Sequence, residues 1–140
     1  MLDVNVLLAL VSADHIHHRS ALHWFTGIEY WATTPIVESA FLRLALNERV
    51  MGKQYDLGLV RSLMMQIRQQ PGFQFLSDGS SLCEAIIELP LILGYQQVTD
   101  YHLVNLAAQH SVVFATFDAK LLRSLPKEHH RLIELVPVLV

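Results

Sequence analysis

The stretch Val112-Val113-Phe114-Ala115-Thr116-Phe117-Asp118 constrains the fold of this chain more than any other. An apolar run of β-branched and aromatic residues, without polar alternation, is the pattern of a strand covered on both faces. The run ends in a carboxylate, and Ala119-Lys120-Leu121-Leu122-Arg123 then resumes at helical spacing. Asp118 therefore falls in a strand-to-helix turn, where open α/β sheets place their ligand sites. The chain opens in the same way: Met1-Leu2 is a short apolar start, Asp3 follows, and Val6 to Ser12 is helical in pattern. Two parallel strands would bring these two acids together at their carboxyl ends.

The remaining elements alternate between strand and helix. A helix is expected over Val4 to Val11 and another over His17 to Phe25, ended by Gly27. Tyr30 to Thr33 reads as a strand. Thr34 then serves as N-cap and Pro35 as first residue of a helix carrying Ile36, Val37, Phe41, Leu44 and Ala45 inward, with Glu38 in its first turn. Leu57, Val60, Leu63, Met64 and Ile67 form a stripe of helical period, suited to core or to a dimer surface. Phe73 to Leu76 reads as a strand and Ser80 to Leu89 as a helix. Another helix is expected from an N-cap at Thr99, with Asp100 in its first turn. The strand Val112 to Thr116 and the helix after Asp118 follow, then a loop from Pro126 to His130 and a last strand from Leu132 to Val138. The alternation predicts an α/β fold as one domain over residues 1–140, without repeat or linker.

Composition narrows the function classes. Apolar residues make up 52% of the 140 and charged residues 16%, which implies a large buried fraction or a surface that a helical partner or second copy covers. The longest uncharged run, Tyr101 to Phe117, contains His102, Asn105, Gln109 and His110, against a membrane span. A lone cysteine, Cys83, and the absence of a charged-then-apolar leader before Asp3 point to a reducing cytoplasm. A net charge of -3 leaves room only for local contact with nucleic acid.

Four acids thus stand at strand ends or helix starts: Asp3, Glu38, Asp100 and Asp118. Taken singly, the last three are explained as helix-start acids favoured by the dipole. Asp3, beside the first buried strand, is not. Two carboxylates about 5 Å apart repel by roughly 3 kcal/mol at an effective dielectric of about 20, so all four can converge ionised only around a counter-charge. Their folded pKa values should therefore be raised by repulsion. All-oxygen ligands select hard ions, and Mg²⁺ or Mn²⁺ suits work on phosphate esters. Asn5 and Thr116 stand where they could orient ligands or water. Arg43, Arg49 and Lys53 after Glu38, and Lys120 and Arg123 after Asp118, could contact RNA phosphates or form a solvated helix face.

Asp3-Val4-Asn5, Thr34-Pro35-Ile36-Val37-Glu38, Thr99-Asp100 and Ala115-Thr116-Phe117-Asp118 resemble, in order and along the whole chain, the four acidic motifs of PIN-domain ribonucleases. The chain is most similar to the VapC-type toxins of toxin-antitoxin pairs, including the His17-His18 and Trp24-Phe25 stretch. The resemblance implies a three-layer α/β/α sandwich with a central, mainly parallel, five-stranded sheet. It implies a Mg²⁺- or Mn²⁺-dependent endoribonuclease acting on structured RNA, with Asp3, Glu38, Asp100 and Asp118 as catalytic metal-binding acids and Asn5 and Thr116 as polar supports. It also implies a cognate antitoxin and a homodimer. Similar toxins carry several more residues before the first acid. With two residues at about 3.3 Å each, the terminal ammonium would lie within roughly 7 Å of the acids, and the first strand would be short. That keeps open an alternative, a catalytically impaired PIN-like module acting mainly by binding a protein partner.

Other chemistries fit less well. Asp14, His15, His17, His18 and His23 are close in sequence, yet side chains within one turn diverge and do not form a zinc site. Cys83, without a CxxC or a base beside it, reads as a buried inert thiol in an apolar helix. A haloacid-dehalogenase-like phosphatase would need a second Asp two residues after Asp3, where this chain has Asn5.

Overall fold

A computed structural model describes residues 1–140, and its axis is the segment Met1–Asp3. The Leu2 amide donates to the Ala32 carbonyl, the Asp3 amide to the Ala115 carbonyl and the Ala115 amide to the Met1 carbonyl, each at 2.9 Å. The first residues therefore lie between two pairs of parallel strands. On one side β1 (Trp31–Thr33) pairs with β2 (Phe73–Phe75), Thr33 opposite Phe75; on the other β3 (Phe114–Thr116) pairs with β4 (Ile133–Leu135), Thr116 opposite Leu135. Regular strand geometry is confined to these four, each of three residues, and Leu2 adds a single parallel bridge to Ala115. The first strand is short, as expected: one bridged residue, against three in each of its neighbours. The Gly72 backbone, at φ 79°, leads into β2, and a Cβ there would stand 1.9 Å from the Glu29 carbonyl oxygen.

Seven helices flank the strands: α1 (Val4–Val11), α2 (His18–Phe25), α3 (Pro35–Ala45), α4 (Glu48–Met51), α5 (Leu57–Arg68), α6 (Val98–Gln109) and α7 (Ala119–Ser124). α1 packs on α2 and α3, and α3 on α4 and α5, while α6 packs on β3. This is a three-layer α/β arrangement. The α3 start is as the sequence predicts, with Thr34 Oγ1 accepting from the Val37 amide and Pro35 first in the helix. Leu2, Leu7, Phe41, Tyr101, Leu106 and Phe114 are among the largest side chains buried completely in the core. No helix is long and apolar enough to cross a membrane.

Five expectations are corrected. The helix expected over Ser80 to Leu89 is one 3-10 turn, Leu82–Glu84, because the fully buried Asn105 takes the backbone instead. Its Oδ1 accepts from the Ile86 and Ile87 amides at 2.9 and 3.3 Å, and its Nδ2 donates to Ser80 Oγ at 2.6 Å. Cys83 is consequently exposed, not buried. Thr99 is not an N-cap: a 3-10 turn over Tyr95–Gln97 runs directly into α6, which begins at Val98 with no side-chain cap. Near the end of the chain, a 3-10 segment over Lys127–Leu132 replaces the expected loop, and the last strand is shorter than Leu132 to Val138.

Candidate active site

Few polar side chains are buried in this molecule, and four of them, Asp3, Thr33, Thr34 and Thr116, lie at or just beyond the carboxyl ends of adjacent strand segments. Burying a polar group is costly unless its hydrogen bonds are met; Asp3 and Thr116 bond to each other, while Thr33 donates to Glu38 and Thr34 accepts from the Val37 amide. Thr116 Oγ1 donates to Asp3 Oδ2 at 2.6 Å and accepts from Asn5 Nδ2 and from the Asp118 amide, both at 3.0 Å. Asn5 Oδ1 in turn accepts from the Phe117 amide at 3.4 Å. The bridge between Met1–Asp3 and β3 brings these residues together, so two motifs more than a hundred residues apart in sequence share one threonine hydroxyl.

Asp118 caps α7, its Oδ1 accepting from the Lys120 and Leu121 amides at 2.8 and 3.2 Å. Asp3, Asp100 and Asp118 are near enough to act on one another. Burial raises the Asp3 pKa, with a further push from Asp118, although bonds from Thr116 and from the Val4 and Asn5 backbone oppose it. Asp100 is pushed up to about 6, first by burial and then by the charges of Asp3 and Asp118. The direction agrees with the repulsion argument, but desolvation is the larger cause.

Glu38 stands apart from this trio. Its Oε1 accepts from Thr33 Oγ1 at 2.6 Å and lies 3.7 Å from Arg68 Nε, a counter-charge that the sequence analysis missed. The only trace of Arg68 in sequence is a basic residue in the last turn of a helix, where the dipole alone accounts for it. No three His, Cys, Asp or Glu side chains stand close enough to grip a metal ion as they lie. The chemistry of the donor set nevertheless fits one: all oxygens, an excess of negative charge, and raised pKa values, as suits a hard divalent ion that keeps several waters.

Of the basic candidates, Arg43 lines a cleft with Ile36, Ser39, Ala40 and Thr99, beside the elements bearing Glu38 and Asp100. Arg49, Lys120 and Arg123 are exposed. The histidines go separate ways: His15 Nδ1 accepts from the His17 amide, His17 stacks on Phe117 at 4.7 Å, and His18 Nδ1 lies 2.7 Å from the Ala9 carbonyl. The Met1 ammonium donates to the Val113 carbonyl at 2.8 Å, and burial lowers its pKa to about 6, opposed by Glu134.

Comparison with known proteins is consistent across the chain. The model of the PIN domain family matches residues 1–127. Ribonuclease VapC38 of Mycobacterium tuberculosis is 37% identical over 141 residues, 99% of each chain. Ribonuclease VapC39 of the same organism is 35% identical, covering 86% of this chain and 89% of its own, and Ribonuclease VapC29 is 30% identical, covering 86% of both.

Proposed function

From the fact that this chain belongs to the PIN domain family, we propose that it is a metal-dependent endoribonuclease and the toxin of a toxin-antitoxin pair, one domain over residues 1–140. The single observation that carries this reading is the trio of Asp3 and Asp118, just beyond strand ends, and Asp100, in the first turn of α6, two of them with raised pKa values and none with a cationic side-chain partner. Such a site is unfavourable without a cation and favourable with one.

Asp3, Glu38, Asp100 and Asp118 would hold Mg²⁺ or Mn²⁺, which supplies an activated water and neutralises charge on the phosphoryl oxygens. The chain's own residues do the rest. Thr116 fixes Asp3 and the Asp118 backbone through one hydroxyl, and Asn5 fixes that hydroxyl, so the carboxylates do not reorganise when the scissile phosphate arrives. Arg43, beside the cleft, and Arg49, Lys120 and Arg123 on the surface are the candidate phosphate contacts of structured RNA. The cognate antitoxin, the homodimer and action in the cytoplasm come with the family reading. The relatives' names supply the reaction class, being those of ribonucleases.

The test is cleavage of a structured RNA in Mg²⁺, in Mn²⁺ and in excess EDTA. Cleavage is expected only with metal, and Asp3→Asn or Asp118→Asn should abolish it. Activity persisting in EDTA would refute the metal assignment. One observation favours a second reading, a partner-binding module with impaired catalysis: Glu38 is occupied by Thr33 and Arg68. That reading expects tight antitoxin binding with no cleavage under any metal.

A further inference from the structure

Of the four acids, Glu38 alone has a positive side chain as neighbour. Arg68 is the last residue of α5, and its guanidinium carbon lies 5.0 Å from the ring centroids of both Phe73 and Phe75. Those two residues point to the same face of β2, which pairs with β1, where Thr33 holds the same Glu38 oxygen. Three separate elements therefore fix the place where guanidinium and carboxylate meet. The Glu38 side chain is 16% exposed and that of Arg68 32%, so the pair is partly withdrawn from solvent. An arginine laid across two aromatic faces has already lost much of its rotamer freedom, so this pairing lacks the entropic cost that cancels most surface ion pairs.

We propose that Arg68 is a positioning residue for Glu38, a built-in counter-charge that holds this carboxylate on the β1–β2 side of the site and competes with a divalent cation for it. The proposal rests on the metal-dependent reading above and adds a division of the site. Asp3, Asp100 and Asp118 form the part that attracts the cation, and Glu38 joins only as its hold on Arg68 loosens. The bond from Thr33 to Glu38 does not involve Arg68, so the carboxylate has a second anchor. A dication and a guanidinium several ångströms apart in a partly buried, partly screened site repel enough to change affinity by about three- to tenfold.

The experiment is calorimetric titration with Mn²⁺ alone, without RNA, on the full chain at low and high salt. Arg68→Met keeps an unbranched stem to pack on Phe73 and Phe75 and loses the charge; Arg68→Gln loses both; Arg68→Lys keeps the charge. The first two should bind Mn²⁺ about three- to tenfold more tightly than the parent, the lysine variant within about twofold of it, and the differences should shrink in high salt. Melting curves in EDTA show which variants fold, and Arg68→Met carries the test if Arg68→Gln does not. If the charge-removing variants bind as the parent does or more weakly, while Asp3→Asn loses binding, Arg68 is packing only and the metal reading stands. If the parent takes up no Mn²⁺, or Asp3→Asn binds it equally well, the metal reading falls and this proposal with it.

Discussion

Asp100 and Asp3 make the metal-free protein sensitive to pH in a direction that can be worked out. Both have pKa values raised above the unfolded value of about 4, Asp100 to about 6. The folded state therefore binds more protons than the unfolded state above about pH 4, so the stability these groups contribute is full below that pH and is lost as pH rises through their folded values, for Asp100 about 6. The Met1 amine acts oppositely. Its lowered pKa leaves the folded state with fewer protons between about 6 and 8, so stability regained through it increases with pH in that window. Melting temperature in EDTA should accordingly pass through a minimum near pH 6, and saturating Mg²⁺ should remove the acid limb of that dip. A profile that rises steadily from pH 4 to 8 in EDTA would contradict the raised acids. Asp100→Asn should melt higher than the parent in EDTA at pH 7.5, by about 1 kcal/mol once solvent screening of a half-buried group is allowed for, and should gain less from Mg²⁺. Equal gains from Mg²⁺ in the two proteins would make Asp100 a helix-start acid and no more.

Local sequence rules located most elements and failed where a distant side chain took over the backbone. Thr34-Pro35 marked α3 because an N-cap and a first-turn proline act within four residues, and Val4–Val11 was visible from its apolar run alone. The segment after Ser80 has helical composition, but Asn105, from α6, claims the Ile86 and Ile87 amides, and no local pattern announces that. The acids were legible for the same reason as the caps, since each sits at an element boundary. Arg68 was not, because its meeting with Glu38 depends on how α5 and β2 are placed. Two measurements follow. Asn105→Ala strands the buried Ile87 amide and should cost about 1 to 3 kcal/mol for it, with hydrogen exchange accelerated first at Ile86 and Ile87; uniform acceleration would mean that Asn105 serves the core generally. Asp118→Asn keeps a capping oxygen and Asp118→Ala does not, so both should lose cleavage while only the alanine variant loses about 1 kcal/mol of stability. Equal melting of the two would remove the capping role.

The molecule as a whole is closed by its first three residues. Leu2 is completely buried between β1 and β3, its amide bonding to Ala32 while its neighbours Met1 and Asp3 bond to Ala115, so Leu2→Ala should cost about 2 to 5 kcal/mol and loosen both strand pairs together in hydrogen exchange. Loss of protection in β3 and β4 alone would show that the β1–β2 half stands without it. The same arrangement fixes a sequence of events in time. A ribosome makes the central segment before its partner across the sheet, Val113, which lies 112 residues later, with β4 later still. Until then Asp3 has neither Thr116 to fix it nor Asp118 beside it. A nascent chain therefore cannot assemble the acidic centre until β3 and the turn after it have been made, whatever has folded before them.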